Sequence, residues 1–377
     1  MKRKLKILVS AGEASGDLHG AVLIRHIKEI AGEAEIFGIG GDKMSEAGAE
    51  ILCHFSNLAV VGFTEVTRKI KNLWNAQSAL KREILRRKPA GVVLIDFPGF
   101  NLPLAKFAKM HGVRTFYYIA PQLWAWGKGR LKKLKKYIDV MLVVLPFERE
   151  LYQKAGMKVH FVGHPLLDVM GHGGSREEFL KEMGFSSEFP IIGLLPGSRE
   201  HEIKRIYPVM VKTVEILSEK FGAIQVATGM APSIPPPLYK KYTDVSVKIL
   251  PDTTYEIMKH SDLVLVASGT ATLETACFGT PMLIIYKISP VSWWLGKMMV
   301  KLKHIGLVNI IAGVEIVPEL LQGDAVPEKI ARKMLRLLTN RDRLDEMREK
   351  LSGVKAAMGQ KGASRRAAEI VLENLKG

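Results

Sequence analysis

Short unbroken apolar runs alternate with segments of helical period along almost the whole chain. The runs at 6–11, 35–39, 91–96, 115–119, 140–145 and 159–162 fill the first half. Those at 191–195, 223–227, 245–250, 263–267 and 282–286 fill the second. Between them the 3.6-residue period predicts helices at 18–30, 73–87, 104–111, 207–220, 255–260 and 271–278. Strands apolar on both faces and separated by helices predict parallel sheets covered on both sides, the doubly wound α/β class. Gly171-His172-Gly173-Gly174-Ser175 follows the last run of the first set and reads as a linker. The expected domains are therefore 1–170 and 171–345. From Val326 onward the chain reads as helix, broken near Gly353 and at 359–362.

In open α/β sheets, ligands sit beyond the carboxyl ends of the strands, and the residues with chemistry fall there. The apolar run 263–267 stops at Ser268-Gly269-Thr270, and a helix begins at Ala271. Unpaired N–H groups and the positive dipole end at that helix start form a site for a phosphate. Glu274, one turn further in, would repel a phosphate but could accept hydrogen bonds from sugar hydroxyls. The pair suggests a nucleotide; an ordinary Ser/Thr-capped helix has similar letters. After 191–195, Pro196-Gly197-Ser198-Arg199 presents a guanidinium able to clamp a diphosphate bidentately. The alternative is a surface Arg199 paired with Glu200 or Glu202.

In the first half Asp96 is the sharpest candidate, a carboxylate ending a buried strand. Flanking Phe97, Pro98 and Phe100 are expected to desolvate it and bring its pKa toward that of a useful base. The alternative is a helix N-cap or loop brace. Glu13 is a second carboxylate, in Gly12-Glu13-Ala14-Ser15-Gly16-Asp17, where the glycine spacing lets a substrate approach the backbone. That loop lacks the G-x-G-x-x-G and P-loop patterns, so it is no dinucleotide or ATP site. His19 and His164 read as structural. No Asp-x-Asp pair is present to hold a divalent metal on a nucleotide sugar. Metal-free, cofactor-free glycosyl transfer follows, with two facing domains binding donor and acceptor.

Composition changes the picture at one point. Hydrophobic content of 47% and charged content of 25% over 377 residues are globular values, but the net charge is +17. An anionic partner is implied. One basic cluster is Lys128, Arg130, Lys132, Lys133, Lys135 and Lys136. The other is Lys287, Lys297, Lys301, Lys303 and His304, interleaved with Trp293, Trp294, Leu295, Met298, Met299 and Leu302. On a helix the latter pattern suits the membrane interface; a helix packed on its own domain is the alternative. No nucleic-acid motif appears. No run reaches the roughly 18 apolar residues of a membrane span. The basic start before 5–11 is followed at once by Glu13 and Asp17, which argues against a signal peptide. Cys53 and Cys277 read as packing residues in a reducing cytosol.

Seven motifs together resemble the lipid-A-disaccharide synthases. They are Gly12-Glu13-Ala14-Ser15-Gly16-Asp17, Ile95-Asp96-x-Pro98-x-Phe100-Asn101, Pro121-Gln122-x-Trp124-Ala125-Trp126, Leu145-Pro146-Phe147-Glu148, Gly163-His164-Pro165, Leu195-Pro196-Gly197-Ser198-Arg199 and the run 267–274. The likeness runs in order from Ile7 to about Glu315. It implies two facing Rossmann-like domains in the GT-B architecture, with terminal helices, taken as 346–377, crossing back to the first. It further implies UDP-2,3-diacylglucosamine and 2,3-diacylglucosamine 1-phosphate as substrates, joined with inversion. By motif, Asp96 is the implied base toward the acceptor 6-hydroxyl, with Glu13 nearby and Ser15, Gly16, Asp17 and Gln122 on acceptor-side loops. Arg199 and the backbone of Ser268, Gly269, Thr270, Ala271 and Thr272 would hold the diphosphate, Glu274 the ribose, and Asn309 a further donor position. The family is cytoplasmic and peripheral to the anionic inner-membrane surface, and it admits a homodimer that no pattern here requires. Two departures stand out: Gln122 replaces a Ser of some relatives, and Ala90-Gly91 replaces a frequent Pro-Asp. Two rivals share the bottom-up signals: a UDP-N-acetylglucosamine 2-epimerase of the same fold, and a non-catalytic basic protein binding membrane or RNA.

Overall fold

The computed structural model describes residues 4–58, 66–121, 128–170, 174–231, 234–243, 247–251, 253–288 and 303–376, the side chains of 66–70 and 128–130 excepted. The chain divides into two compact units, 1–169 with 358–377, and 170–357. The first holds strands β1 (Leu5–Ala11), β2 (Ala34–Gly40), β3 (Glu50–His54), β4 (Gly91–Ile95), β5 (Arg114–Tyr118), β6 (Val140–Val143) and β7 (Val159–Phe161). They form one parallel sheet in the order β3-β2-β1-β4-β5-β6-β7. The second holds β8 (Ile191–Leu195), β9 (Gln225–Met230), β10 (Val247–Pro251), β11 (Leu263–Ala267), β12 (Met282–Tyr286) and β13 (Glu319–Leu321), also parallel, in the order β10-β9-β8-β11-β12-β13.

The apolar runs became the inner strands because both their faces are covered. Leu8, Phe37, Val92, Leu94, Tyr117 and Met141 pack on one side against Leu80, Ile84, Leu104, Ala108 and Leu134. Their chain neighbours Ile7, Val9, Val93, Ile95 and Phe116, on the other side of the pleat, are equally buried. Each aliphatic side chain so enclosed contributes about 1.5–3 kcal/mol. β3 and β13 have no counterpart among the apolar runs. Both are edge strands whose residues are largely half-buried or exposed, so nothing demands a continuous apolar stretch there.

The expected return of 346–377 to the first unit is corrected. The helix Arg341–Ala357 runs through Gly353 without a break and packs on Thr270–Phe278 and Leu307–Ala312, within the second unit. Only the last helix, Ala363–Leu375, belongs to the first unit, against Ala14–Ala31. The chain turns between them at Gly359 and Gly362, with φ of 88° and 91°. The carboxylate of Asp168 caps the last helix, accepting from the amides of Gly362, Ala363 and Ser364 at 2.6, 3.2 and 2.8 Å. At the linker, Ser175 forms a reciprocal capping box with Glu178 and starts the helix Arg176–Met183.

Candidate active site

Each sheet reverses its strand order once, between β1 and β4 in the first unit and between β8 and β11 in the second. At such a point successive crossovers leave to opposite faces, the loops diverge, and a crevice opens at the carboxyl ends. The loops at those two places are the ones singled out in the sequence: Gly12–Asp17 with Asp96–Asn101, and Pro196–Arg199 with Ser268–Thr270.

Asp96 directly follows β4 and is exposed. Its aromatic neighbours do not enclose it. Phe97 instead lies against the backbone of Gly12, where a Cβ would fall 2.1 Å from its Cδ1, and stacks on the buried Phe100 with centroids 5.5 Å apart. Gly12 is therefore required by contact, not by its own dihedral angles. The N-cap position of the following helix is held by Phe97. Both residues adopt left-handed backbone, with φ of 43° at Asp96 and 47° at Phe97. For an aspartate this is tolerated, but for a phenylalanine it is an outlier, with a cost of roughly 1–3 kcal/mol.

Hydrogen bonds converge on that backbone. The carbonyl of Asp96 accepts from Asn101 Nδ2 at 2.7 Å and from the Tyr117 hydroxyl at 2.6 Å. Asn101 also donates to the Ile95 carbonyl at 3.1 Å, and its Oδ1 accepts from the Ser10 hydroxyl at 2.7 Å. Ser10, Asn101 and Tyr117 are all fully buried. Sequence reasoning assigned no role to these three. A polar pair inside apolar runs, Ser10 in the first strand and Tyr117 in the fifth, was the available signal.

Along the β1 loop the candidates separate. Glu13 is exposed at the head of the helix Ala14–Ala31, where its carboxylate makes no capping bond to that helix. Ser15 is exposed beside it, while Gly16 is buried, where a Cβ would sit 3.2 Å from that of Ala11. Asp17 is not a ligand-facing group. Its buried carboxylate accepts from the amides of Gly41, Lys43 and Met44 at 2.6, 3.1 and 3.1 Å, capping the helix Asp42–Glu46. The expectation for Asp17 is corrected accordingly. Gln122 lies outside the described residues, as do Trp293, Trp294, Lys297, Met298 and Lys301.

In the second unit Arg199 occupies the N-cap position of the helix Glu200–Phe221, more than half exposed. It pairs with Glu202 at 3.5 Å, one of the two surface partners expected for it. The other carboxylate oxygen of Glu202 accepts from the amides of Ser198 and Arg199 at 3.0 and 3.2 Å. Glu202 thus braces the loop that carries the guanidinium. Its place three residues after the cap is the capping-box spacing, a signal legible in sequence.

The β11 loop yields fewer ligand-facing groups than expected. The Ser268 amide stays in the sheet, donating to Ile285 at 2.9 Å. Thr272 is buried and spends both amide and hydroxyl on the Gly269 carbonyl, at 3.2 and 2.8 Å. That leaves the amides of Gly269, Thr270 and Ala271 at the partly exposed start of the helix Thr270–Phe278. Glu274 lies one turn in and accepts from the Tyr255 hydroxyl at 3.3 Å. Burial holds its carboxyl above the usual range, a shift that the hydrogen bond from Tyr255 opposes.

Asn309 is a correction of another kind. Its Nδ2 donates to the Val317 carbonyl at 2.8 Å and to Glu319 at 2.7 Å, and its Oδ1 accepts from Ile316 and Val317 at 2.8 and 3.1 Å. Two donors and two acceptor positions are all used, so its amide has nothing left for a ligand. Glu319 also takes the amides of Ile305 and Gly306, at 2.8 and 3.0 Å. The pair fixes the course of 305–319 beside β12. Among the described residues, no group of three His, Cys, Asp or Glu side chains could hold a metal ion.

The reversal point of the first sheet thus carries an exposed carboxylate, and that of the second an arginine with a helix start. Comparison with known proteins gives the family of the chain. The family model described as Lipid-A-disaccharide synthetase matches residues 7–374. The lipid-A-disaccharide synthase of Syntrophus aciditrophicus is 43% identical over 380 residues, covering 100% of this chain and 99% of the relative. Among solved structures, the UDP-GlcNAc 2-epimerase from Neisseria meningitidis bound to UDP-GlcNAc aligns with a TM-score of 0.67 at 13% identity, covering 98% and 100% of the two chains. The calicheamicin glycosyltransferase CalG4 aligns at 0.61 and 14%, covering 100% and 99%. At such identities those two show the fold alone, whereas the first two comparisons extend over essentially every residue. The chain belongs to the lipid-A-disaccharide synthetase family, and is a glycosyltransferase of lipid A biosynthesis.

Proposed function

We propose that the chain transfers a 2,3-diacylglucosaminyl group from UDP to the 6-hydroxyl of 2,3-diacylglucosamine 1-phosphate. The observation that supports this most directly is the family match over residues 7–374, joined to an exposed Asp96 at the sheet's reversal point. Asp96 takes the proton of the acceptor hydroxyl as its oxygen attacks the anomeric carbon. The bond from that carbon to the diphosphate oxygen breaks, and UDP departs with the electron pair; attack from the opposite face inverts the configuration. Arg199 and the amides of Gly269, Thr270 and Ala271 take up the charge developing on the diphosphate. Glu274 accepts from the ribose hydroxyls. Glu13 and Ser15 are exposed groups of the acceptor-side loop after β1.

No metal is assigned to the reaction, because the arginine and the helix start supply the neutralising charge. The lipid substrates and the +17 charge favour work at an anionic membrane surface. Among the described residues no helix is long and apolar enough to cross a membrane; peripheral attachment is what the family resemblance implies. A homodimer is compatible with all of this and required by none of it.

The test is the lipid product formed when purified protein meets the two substrates, with and without excess chelator. Tetraacyl disaccharide 1-phosphate and UDP should accumulate equally in both. Asp96→Asn should keep its fold and its UDP affinity while losing roughly 10²–10⁴-fold in turnover. Near-normal turnover in that variant would remove Asp96 from the base role, and chelator sensitivity would refute the metal-free scheme.

A further inference from the structure

The group proposed as base is on the surface, yet the backbone beneath it is among the most constrained in the molecule. Asp96 and Phe97 are consecutive left-handed residues, an arrangement that relaxes to ordinary dihedral angles unless its surroundings hold it. Three contacts hold it, from three different elements. Asn101, on the helix Pro98–Met110, donates to the Asp96 carbonyl at 2.7 Å. Tyr117, on the neighbouring strand β5, donates to the same oxygen at 2.6 Å. The ring of Phe97 rests on Gly12, after β1, a position no residue with a Cβ could share. Behind them Ser10 fixes which way the Asn101 amide faces, by donating to its Oδ1 at 2.7 Å.

We infer that Asn101 and Tyr117, oriented in part by Ser10, are positioning residues that aim the Asp96 carboxylate by clamping its own carbonyl. A side chain leaves its Cα in a direction set by φ and ψ. Holding the Asp96 carbonyl therefore fixes the direction in which its carboxylate starts. A fully buried hydroxyl and a fully buried amide meeting on one carbonyl oxygen accomplish that. Ser10 and Asn101 otherwise bind each other and the carbonyls of Ser10 and Ile95, and neither Asn101 nor Tyr117 is asked to touch a substrate. The inference rests on Asp96 being the base.

Tyr117→Phe removes one hydroxyl from the clamp and leaves the strand packing as it is. Its kcat should fall on the order of 10–100-fold, with KM for both substrates and UDP affinity by calorimetry within about twofold of wild type. Ser10→Ala should shift kcat in the same direction by a smaller factor, and it keeps the test available if the tyrosine variant folds poorly. In an Asp96→Asn background, Tyr117→Phe should cost nothing further, because no base remains to be aimed. A purely structural role predicts the opposite, a loss that multiplies with that of Asp96→Asn and a lower melting temperature. Wild-type kcat in both Tyr117→Phe and Ser10→Ala, with Asp96→Asn inactive, overturns the positioning role alone. Full turnover in Asp96→Asn overturns the base and this inference with it.

Discussion

Asp17 offers the sharpest test of how structure reassigns a residue that sequence places at an active site. It stands four residues after Glu13 in the motif shared with the family, yet its carboxylate is buried on three amides that begin the helix Asp42–Glu46. Asp17→Asn preserves one carbonyl oxygen. Oδ1 can go on accepting from Gly41 and Met44, while the new NH2 confronts the Lys43 amide, donor against donor. The loss is one charge-assisted hydrogen bond and the charge at a helix start, about 1.5–3 kcal/mol. Asp17→Ala orphans all three amides and should cost about 3–5 kcal/mol, as large as a buried cap loss with its cavity. For a body of this size each kcal/mol is worth roughly 2–4 °C in melting temperature. Thermal melts by circular dichroism should therefore fall by about 3–12 °C for the Asn variant and further for Ala. Product formation assayed well below the melt should keep kcat and both KM values within a few-fold. An Asp17→Asn protein that melts like wild type but has lost 100-fold in kcat would refute the capping role and return Asp17 to the substrate.

Arg199→Ala removes a half-exposed pair with Glu202, so melting should barely move. UDP affinity by calorimetry should weaken by about 1.5–3 kcal/mol, some 10–150-fold; an unchanged Kd would refute its place on the diphosphate. Asn309→Ala breaks four internal hydrogen bonds and should lower the melting temperature without a selective loss of UDP affinity; the reverse pattern would show that the amide serves the donor after all. Burial holds His19 down to about 4 and His164 to about 3, opposed in each by Asp168. The unfolded chain then binds more protons than the folded one between those values and about 6.5, so stability is full above that range and falls as pH drops through it. Both imidazoles face Asp168, which caps the last helix, so protonating them should loosen Ala363–Leu375 in hydrogen exchange between pH 6 and 4. Protection unchanged over that interval would overturn this.

What the sequence determined by itself is local in character. A buried parallel strand must be apolar on both faces, so Ile191–Leu195, Leu263–Ala267 and Met282–Tyr286 announce their bounds to the residue. A helix start needs donors satisfied or a ligand, so the Ser268–Thr270 turn and the Arg199 loop stood out as well. Edge strands β3 and β13 escaped because a half-exposed edge does not demand a continuous apolar run and theirs have none, unlike the edge strands β7 and β10. Only tertiary structure could say that the Asp17 carboxylate is consumed by amides 24 to 27 residues away, or that Asn309 is exhausted by its own loop. The same holds for the clamp on Asp96, where Ser10 and Asn101 meet across 91 positions of chain. Hydrogen-bond capacity is finite and is spent through space. A one-dimensional reading shows which residues own donors and acceptors; the folded chain decides which of them remain for a substrate.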